Sequence, residues 1–186
     1  MNSAEFNRGL GLTALGSFWW GVFGVIYFEY VSYIGHIEVV LHRTIWTSVF
    51  LVLTTFYFSK WSIFFEIISN AKNLITLFFS GLLIFTNWAV WIYAVSSDQI
   101  INASFGYFIM PILSVFLGYI FFKEKLNTKR IISIVLVLIS ICFLLLFNFQ
   151  SIPWVGLIVA LSWGFYNLLR KKINVDTDIG LLIESL

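Results

Sequence analysis

The uncharged run from Ile100 to Phe122 constrains the fold of this sequence more than any other stretch. A helix needs about 20 mostly apolar residues to cross the hydrocarbon core of a bilayer, and this run is long enough. Pro111, with Gly106 before it, removes one backbone donor, and its ring clashes with the Tyr107 carbonyl. The sequence therefore predicts a spanning helix with a bend near mid-depth. Irregular backbone there must be taken up by protein or a watery cavity, where transporters keep substrate sites.

The composition predicts an all-α, polytopic integral membrane protein. Of 186 residues, 60% are hydrophobic and 11% are charged, whereas soluble domains carry about 25% charged residues. Six spanning helices are predicted, together with a short amphipathic piece at 60–72 and the first turns of a seventh helix at 179–186. The six predicted spans cover residues 10–33, 37–58, 74–97, 100–122, 131–149 and 152–172.

The basic residues predict the orientation of the chain. Cytoplasmic loops of membrane proteins collect Lys and Arg. With the N-terminus in the cytoplasm, ten of the 11 Lys and Arg fall on the cytoplasmic side, and only Arg43 lies within a predicted span. The net charge of +2 gives no indication of a nucleic-acid partner. The ten cytoplasmic cations are Arg8, Lys60, Lys72, Lys123, Lys125, Lys129, Arg130, Arg170, Lys171 and Lys172.

An internal repeat relates the first and sixth predicted helices. When Trp20-Gly21 is matched to Trp163-Gly164, both helices hold a small residue at every fourth position. With a short gap, Glu38 would match Glu184. Such stripes let helices approach closely in lipid, so they are equally consistent with ordinary packing. If the repeat is real, an odd number of helices separates the copies, which inverts the second copy as in many secondary transporters.

Clustered motifs along nearly the whole chain resemble the RarD-like branch of the EamA-type permeases, in the drug/metabolite transporter superfamily. The motifs are Trp20-Gly21, Glu38-x-x-x-His42-Arg43-x-x-Trp46, Asn87-Trp88 with Trp91, Ala103-Ser104-Phe105-Gly106-Tyr107-Phe108 with Pro111, Glu124-Lys125-Leu126, Pro153-Trp154, Ser162-Trp163-Gly164-x-Tyr166 and Leu169-Arg170-Lys171.

This resemblance implies ten helices in two inverted five-helix repeats, of which residues 1–149 would form the first and 150–186 the start of the second. It implies a multi-pass protein of the bacterial inner membrane with a cytoplasmic N-terminus. The implied activity is transport of small molecules such as metabolites, amino acids or drugs by alternating access, without a cofactor. The expected partners are the bilayer, the substrate, and a second half or another copy. Since the sequence ends where helix 7 begins, we expect that it does not transport by itself.

Three ionisable residues lie in the second predicted helix. Glu38 and His42 are four residues apart and share a face, and Arg43 follows. Ionisable residues within spans usually face the bundle interior or a cavity. We interpret them as candidate substrate or proton ligands, with Arg43 suited to a carboxylate or phosphate. The alternative is that they snorkel to the headgroups and that Glu38 bonds His42 locally.

Further candidates lie in the third and fourth predicted helices. Asn87 could bind substrate or join helices by hydrogen bonds. Trp88 and Trp91 could line an aromatic pocket or simply pack. Ser104 and Tyr107 precede Pro111, and we expect them to share one cavity with Arg43 and Asn87.

Two other classes of function compete with transport. Ser104 with His42 could suggest a nucleophile and base, but no hydrolase or metalloprotease motif surrounds them. A membrane subunit or fragment that needs a partner and does not transport is the other alternative.

Overall fold

The computed structural model describes residues 3–31, 33–148 and 153–186, and these residues form helices and no strand. The first span starts earlier than the predicted residue 10: α1 covers Ser3–Phe18, passes into a π-helical segment at Trp19–Gly24, and continues as α2 over Val25–Tyr30. Side chains from residue 5 to residue 23 are exposed. A π segment inside a helix often marks a functional position.

The next three helices follow the predicted pattern. The second span is α3, His36–Tyr57, the amphipathic piece is α4, Trp61–Ser69, and the third span is α5, Ala71–Ser96. Asn70 explains where α5 begins, because its Oδ1 accepts hydrogen bonds from the backbone N–H groups of Lys72 and Asn73 at 3.1 and 3.3 Å. Such a cap satisfies backbone donors that a helix start leaves free.

The remaining helices are α6, Ile100–Phe122, α7, Thr128–Asn148, α8, Trp154–Lys172, and α9, Thr177–Ser185. The predicted outer connection between α7 and α8 falls mainly on residues 149–152, which lie outside the described residues. Across the described chain, five helical segments are long and apolar enough to span a membrane. The 19-residue α8 is not among them, because Asn167, Arg170 and Lys171 lower its mean hydropathy.

Despite its mixed composition, α8 is central to the packing and lies against both α5 and α6. The crossing with α6 is made by two glycines. A Cβ on Gly106 would overlap the Gly156 carbonyl, and a Cβ on Gly156 would overlap the Asn102 carbonyl. The helices therefore meet backbone to backbone at a point that only glycine allows, as small residues permit within membranes.

Ion pairs join the ends of helices where the sequence places its cations. Lys60 lies 2.6 Å from Asp178 and 3.5 Å from Asp176, and its hydrogen bond to Asp178 raises the pKa of Lys60 above its usual range. Glu124, which follows α6, bonds Lys171 at the end of α8. These bonds bring together the loops that the charge pattern predicts on one side of the membrane.

Candidate functional site

Arg43 lies among aromatic rings from three different parts of the chain. Its guanidinium carbon is 4.1 Å from the ring centre of Trp88, 5.0 Å from that of Trp20 and 5.7 Å from that of Phe28. Trp20 belongs to the π-helical segment, Phe28 to α2 and Trp88 to α5. Each distance lies within the roughly 6 Å over which a ring face attracts a cation. The guanidinium is thus surrounded by three aromatic rings that attract its charge.

The guanidinium has hydrogen-bonding capacity that the described residues do not use. Its Nη1 atom is buried and has no hydrogen-bond partner among them. No carboxylate of the described chain forms an ion pair with Arg43. A buried donor without a partner costs about 1–3 kcal/mol, and more when it is charged. A ligand that accepts hydrogen bonds and carries negative charge would remove that cost.

Arg43 lines a cavity of about 1180 Å³ between the first span and α3. Small-molecule sites are mostly apolar cavities with a few placed polar groups. This cavity fits that description, since Arg43, His42 and Thr47 are its polar groups on α3 among mainly aromatic and aliphatic side chains. Its aromatic walls are Trp19, Trp20, Phe23, Tyr27, Phe28, Tyr30, Trp46 and Phe50.

The fourth predicted helix contributes Tyr107 to the neighbourhood of Arg43. Tyr107 is close enough to interact electrostatically with the guanidinium, and its ring meets the Trp91 ring edge-on with 5.5 Å between centres. Trp91 itself is buried in the core. Ser104 lies one helical turn before Tyr107 and is half-buried. Arg43, Trp88, Trp91 and Tyr107 thus form one connected group, but only Arg43 among them lines the cavity. Ser104 does not line it either, so the expected shared cavity is not formed.

Asn87 lies elsewhere, within the interface of α5 and α8. Its side chain is 2% exposed, and its Nδ2 donates to the Val159 carbonyl and to Ser162 Oγ, both at 3.0 Å. These two hydrogen bonds join α5 to α8 and occupy the amide nitrogen of Asn87. The structure therefore does not bring Asn87 into the cavity that Arg43 lines.

The other predicted residues also occupy distinct places. Glu38 and His42 are exposed on α3, and only His42 lines the cavity. Gly106 serves the crossing of α6 with α8. Pro111 is exposed, and α6 stays helical on both sides of it.

The sequence interpretation missed a second buried polar group. The Glu184 carboxylate, which is 0% exposed, accepts a hydrogen bond from Ser80 at 2.5 Å and one from Tyr166 at 3.3 Å. Arg170 Nε lies 3.6 Å from the same carboxylate. Tyr166 and Arg170 are four residues apart on α8 and so share a face. In the sequence, the signal for this buried cluster was the four-residue spacing of Tyr166 and Arg170, together with the carboxylate of Glu184 in α9.

Comparison with known proteins identifies relatives over the whole length of the chain. Residues 7–146 match the model of the EamA-like transporter family. The chain is 34% identical to "Protein RarD" of Escherichia coli (strain K12) and 33% identical to "Uncharacterized transporter YojE" of Bacillus subtilis (strain 168). Each of these alignments covers 100% of this chain and 62% of the relative.

A more distant relative carries a more specific name. "Chloramphenicol-sensitive protein RarD" of Pseudomonas aeruginosa is 24% identical over 81% of this chain and 51% of its own length. No solved structure matches. The family match covers most of the chain, and the helices long enough to span a membrane agree with a multi-pass membrane protein. The chain therefore belongs to the EamA-like transporter family.

Proposed function

We propose that this chain forms part of an inner-membrane permease for small molecules and that Arg43 contacts the substrate. The observation that carries the proposal is the buried Nη1 atom of Arg43, which has no hydrogen-bond partner among the described residues and belongs to a side chain that lines a cavity of about 1180 Å³. A charged group within a membrane is expensive to keep, and it usually marks a pathway or binding site. Transport would proceed by alternating access between inverted repeats, with residues 1–149 forming the first and 150–186 the start of the second.

The surroundings of Arg43 favour a substrate with a carboxylate or phosphate group and a flat or apolar body. A guanidinium binds such anions through two parallel hydrogen bonds. The rings of Trp20 and Trp88 lie within 5.0 Å of the guanidinium carbon, and the remaining cavity wall is largely apolar. Aromatic or branched carboxylates, including amino acids, are thus favoured over sugars.

The charge pattern supports a cytoplasmic N-terminus. The inferred outer connections, around Asp98 and at 148–153, carry no Lys or Arg. Reporter fusions after Lys125 and after Gln150 should report opposite sides of the membrane. Two fusions on the same side would contradict the number of helices between them, and a Lys125 fusion on the outer side would contradict this orientation.

Counterflow in proteoliposomes tests the function. The chain would be studied as given and extended to the full length of its relatives, with radiolabelled aromatic and branched carboxylates, amino acids and neutral chloramphenicol as probes. We expect the extended chain, but not the chain as given, to exchange one or more anionic probes, and Arg43→Ala to lower the exchange by the extended chain at least tenfold. Arg8→Ala is the matched control, because Arg8 is an exposed arginine of α1. If no probe exchanges, or if the two variants behave alike, Arg43 is not the substrate contact.

A further inference from the structure

A second cavity, separate from the one at Arg43, lies between α6, α7 and α8. It has a volume of about 580 Å³ and shares no lining residue with the Arg43 cavity. We call it the basic groove. Its polar end is formed by Glu124, Asn127, Lys129, Arg130 and Lys171, and its apolar end by Pro111, Ile112, Val115, Ile134 and Val137. The proposed substrate path does not use this cavity.

The polar and apolar ends of the basic groove lie at different depths in the membrane. The lining residues of α6 extend from Pro111 to Phe122, about 16 Å along the helix axis. On α7 they extend from Lys129 to Val137, about 12 Å. The charged lining residues lie near the 123–127 connection: Glu124 follows α6, and Lys129 and Arg130 begin α7. The groove therefore runs from the charged membrane surface to about the depth of one leaflet's hydrocarbon layer, which is roughly 15 Å.

The charges at the mouth leave a positive excess. Lys129, Arg130 and Lys171 face one carboxylate, that of Glu124. Glu124 bonds Lys171 and lies 3.8 Å from Arg130. Lys129 has no ion pair among the described residues. Arg130 and Lys171 keep 56% of their side chains exposed, so both remain accessible to a ligand.

From this arrangement we infer that the basic groove binds an anionic phospholipid of the adjacent leaflet. The phosphate and headgroup would bind Lys129 and Arg130 at the mouth, and one acyl chain would lie along Val115, Ile134 and Val137. Basic pockets between membrane helices bind anionic headgroups in this way. Because α7 packs mainly on α6 and exposes most of its side chains, the groove opens toward lipid on that side.

The test is the lipid that purified protein retains. The chain, and its version extended to the relatives' length, would be placed in micelles with equal amounts of dioleoylphosphatidylglycerol and dioleoylphosphatidylcholine. Native mass spectrometry then counts the bound molecules. We expect one phosphatidylglycerol to be retained preferentially. Lys129→Gln with Arg130→Gln should weaken it about 25-fold, about fivefold for each charge removed.

Two further variants distinguish a specific lipid site from a general attraction of anionic lipids to the basic residues of the protein. Lys72→Gln with Lys125→Gln removes the same charge from the same predicted side outside the groove, and it should leave retention unchanged. Val137→Trp fills the apolar end without changing charge and should also release the lipid. Equal retention of both lipids, equal loss in the control, or loss of the site in the extended chain would overturn the inference. None of these outcomes depends on whether Arg43 binds substrate.

Discussion

Arg43 and Arg170 both lie inside the helical assembly, and both have an Nη1 atom that is buried without a hydrogen-bond partner among the described residues. Their surroundings nevertheless differ in charge. Arg170 lies 3.6 Å from Glu184, whose carboxylate also receives hydrogen bonds from Ser80 and Tyr166. Arg43 faces the rings of Trp20, Phe28 and Trp88 and has no carboxylate partner in the described chain.

The difference distinguishes a cation that has a counter-charge from one that has none in the described chain. A buried ion pair is neutral overall, and removing one partner strands the other charge. Arg170 and Glu184 therefore hold α8 and α9 together. Aromatic rings attract a cation but do not neutralise it. The charge of Arg43 consequently remains available to a ligand, and this is why we assign binding to Arg43 and not to Arg170.

The largest expected effect is on the buried ion pair. Glu184→Leu should lower the free energy of unfolding by about 3 kcal/mol, because Arg170 then remains buried without a counter-charge. The double change Arg170→Leu with Glu184→Leu should recover most of that loss. Arg43→Leu should cost less than about 1 kcal/mol, since it removes an uncompensated charge. Unfolding in mixed micelles measures the stability of all three variants. If Arg43→Leu lost as much stability as Glu184→Leu, the proposed difference between Arg43 and Arg170 would be wrong.

The next effect concerns the space beside Arg170. A Cβ on Gly180 would overlap its guanidinium. Gly180→Ala should therefore cost about 2 kcal/mol through overpacking. Gly16→Ala is the control, because Gly16 lies in α1 with no atom near its missing Cβ. It should be neutral or stabilising, as alanine favours helix. Similar thermal shifts for the two variants would show that Arg170 readily moves away.

A smaller effect should come from Asn87. Asn87→Leu removes two hydrogen bonds to α8, and interhelical bonds in membranes contribute about 0.6 kcal/mol on average. We expect a loss of about 1 kcal/mol with unchanged probe exchange at the Arg43 cavity. If Asn87→Leu is stable but no longer exchanges the probe, Asn87 is instead a substrate ligand.

The smallest effect is at the exposed pair of Glu124 and Lys171. The hydrogen bond from Lys171 holds the pKa of Glu124 below its usual range. The pair therefore stabilises the fold at pH values above the unfolded-state pKa of about 4.3, and this contribution disappears as the pH falls through the lowered folded-state value. Melting curves of wild type and Glu124→Gln should differ slightly at pH 7 and converge in acid. A difference that grew in acid would contradict the pairing.

The sequence predicted the helices well because apolar length and charge placement determine them almost alone. It also indicated Arg43 as a candidate, since a cation within an apolar run is conspicuous. The placement of Asn87 depends on which face of α5 meets α8, and an apolar helix shows little polar periodicity to indicate that. The two small-residue stripes illustrate the same limit: Gly156 is buried against α6, whereas Thr13, Ser17 and Gly21 are exposed. Two stripes with similar sequences thus have different surroundings, which only the packing of the helices reveals.

The contact between Gly106 and Gly156 also has a mechanical consequence. Because the backbones of α6 and α8 touch at that point, it would be the fulcrum of any tilt of α6 against α8. The arms of this lever are unequal, about 9 Å from Gly106 to Ile100 and about 24 Å to Phe122. A tilt of about 10° would move the short end by about 1.5 Å and the long end by about 4 Å. A small displacement at Ile100 would thus be amplified at the mouth of the basic groove.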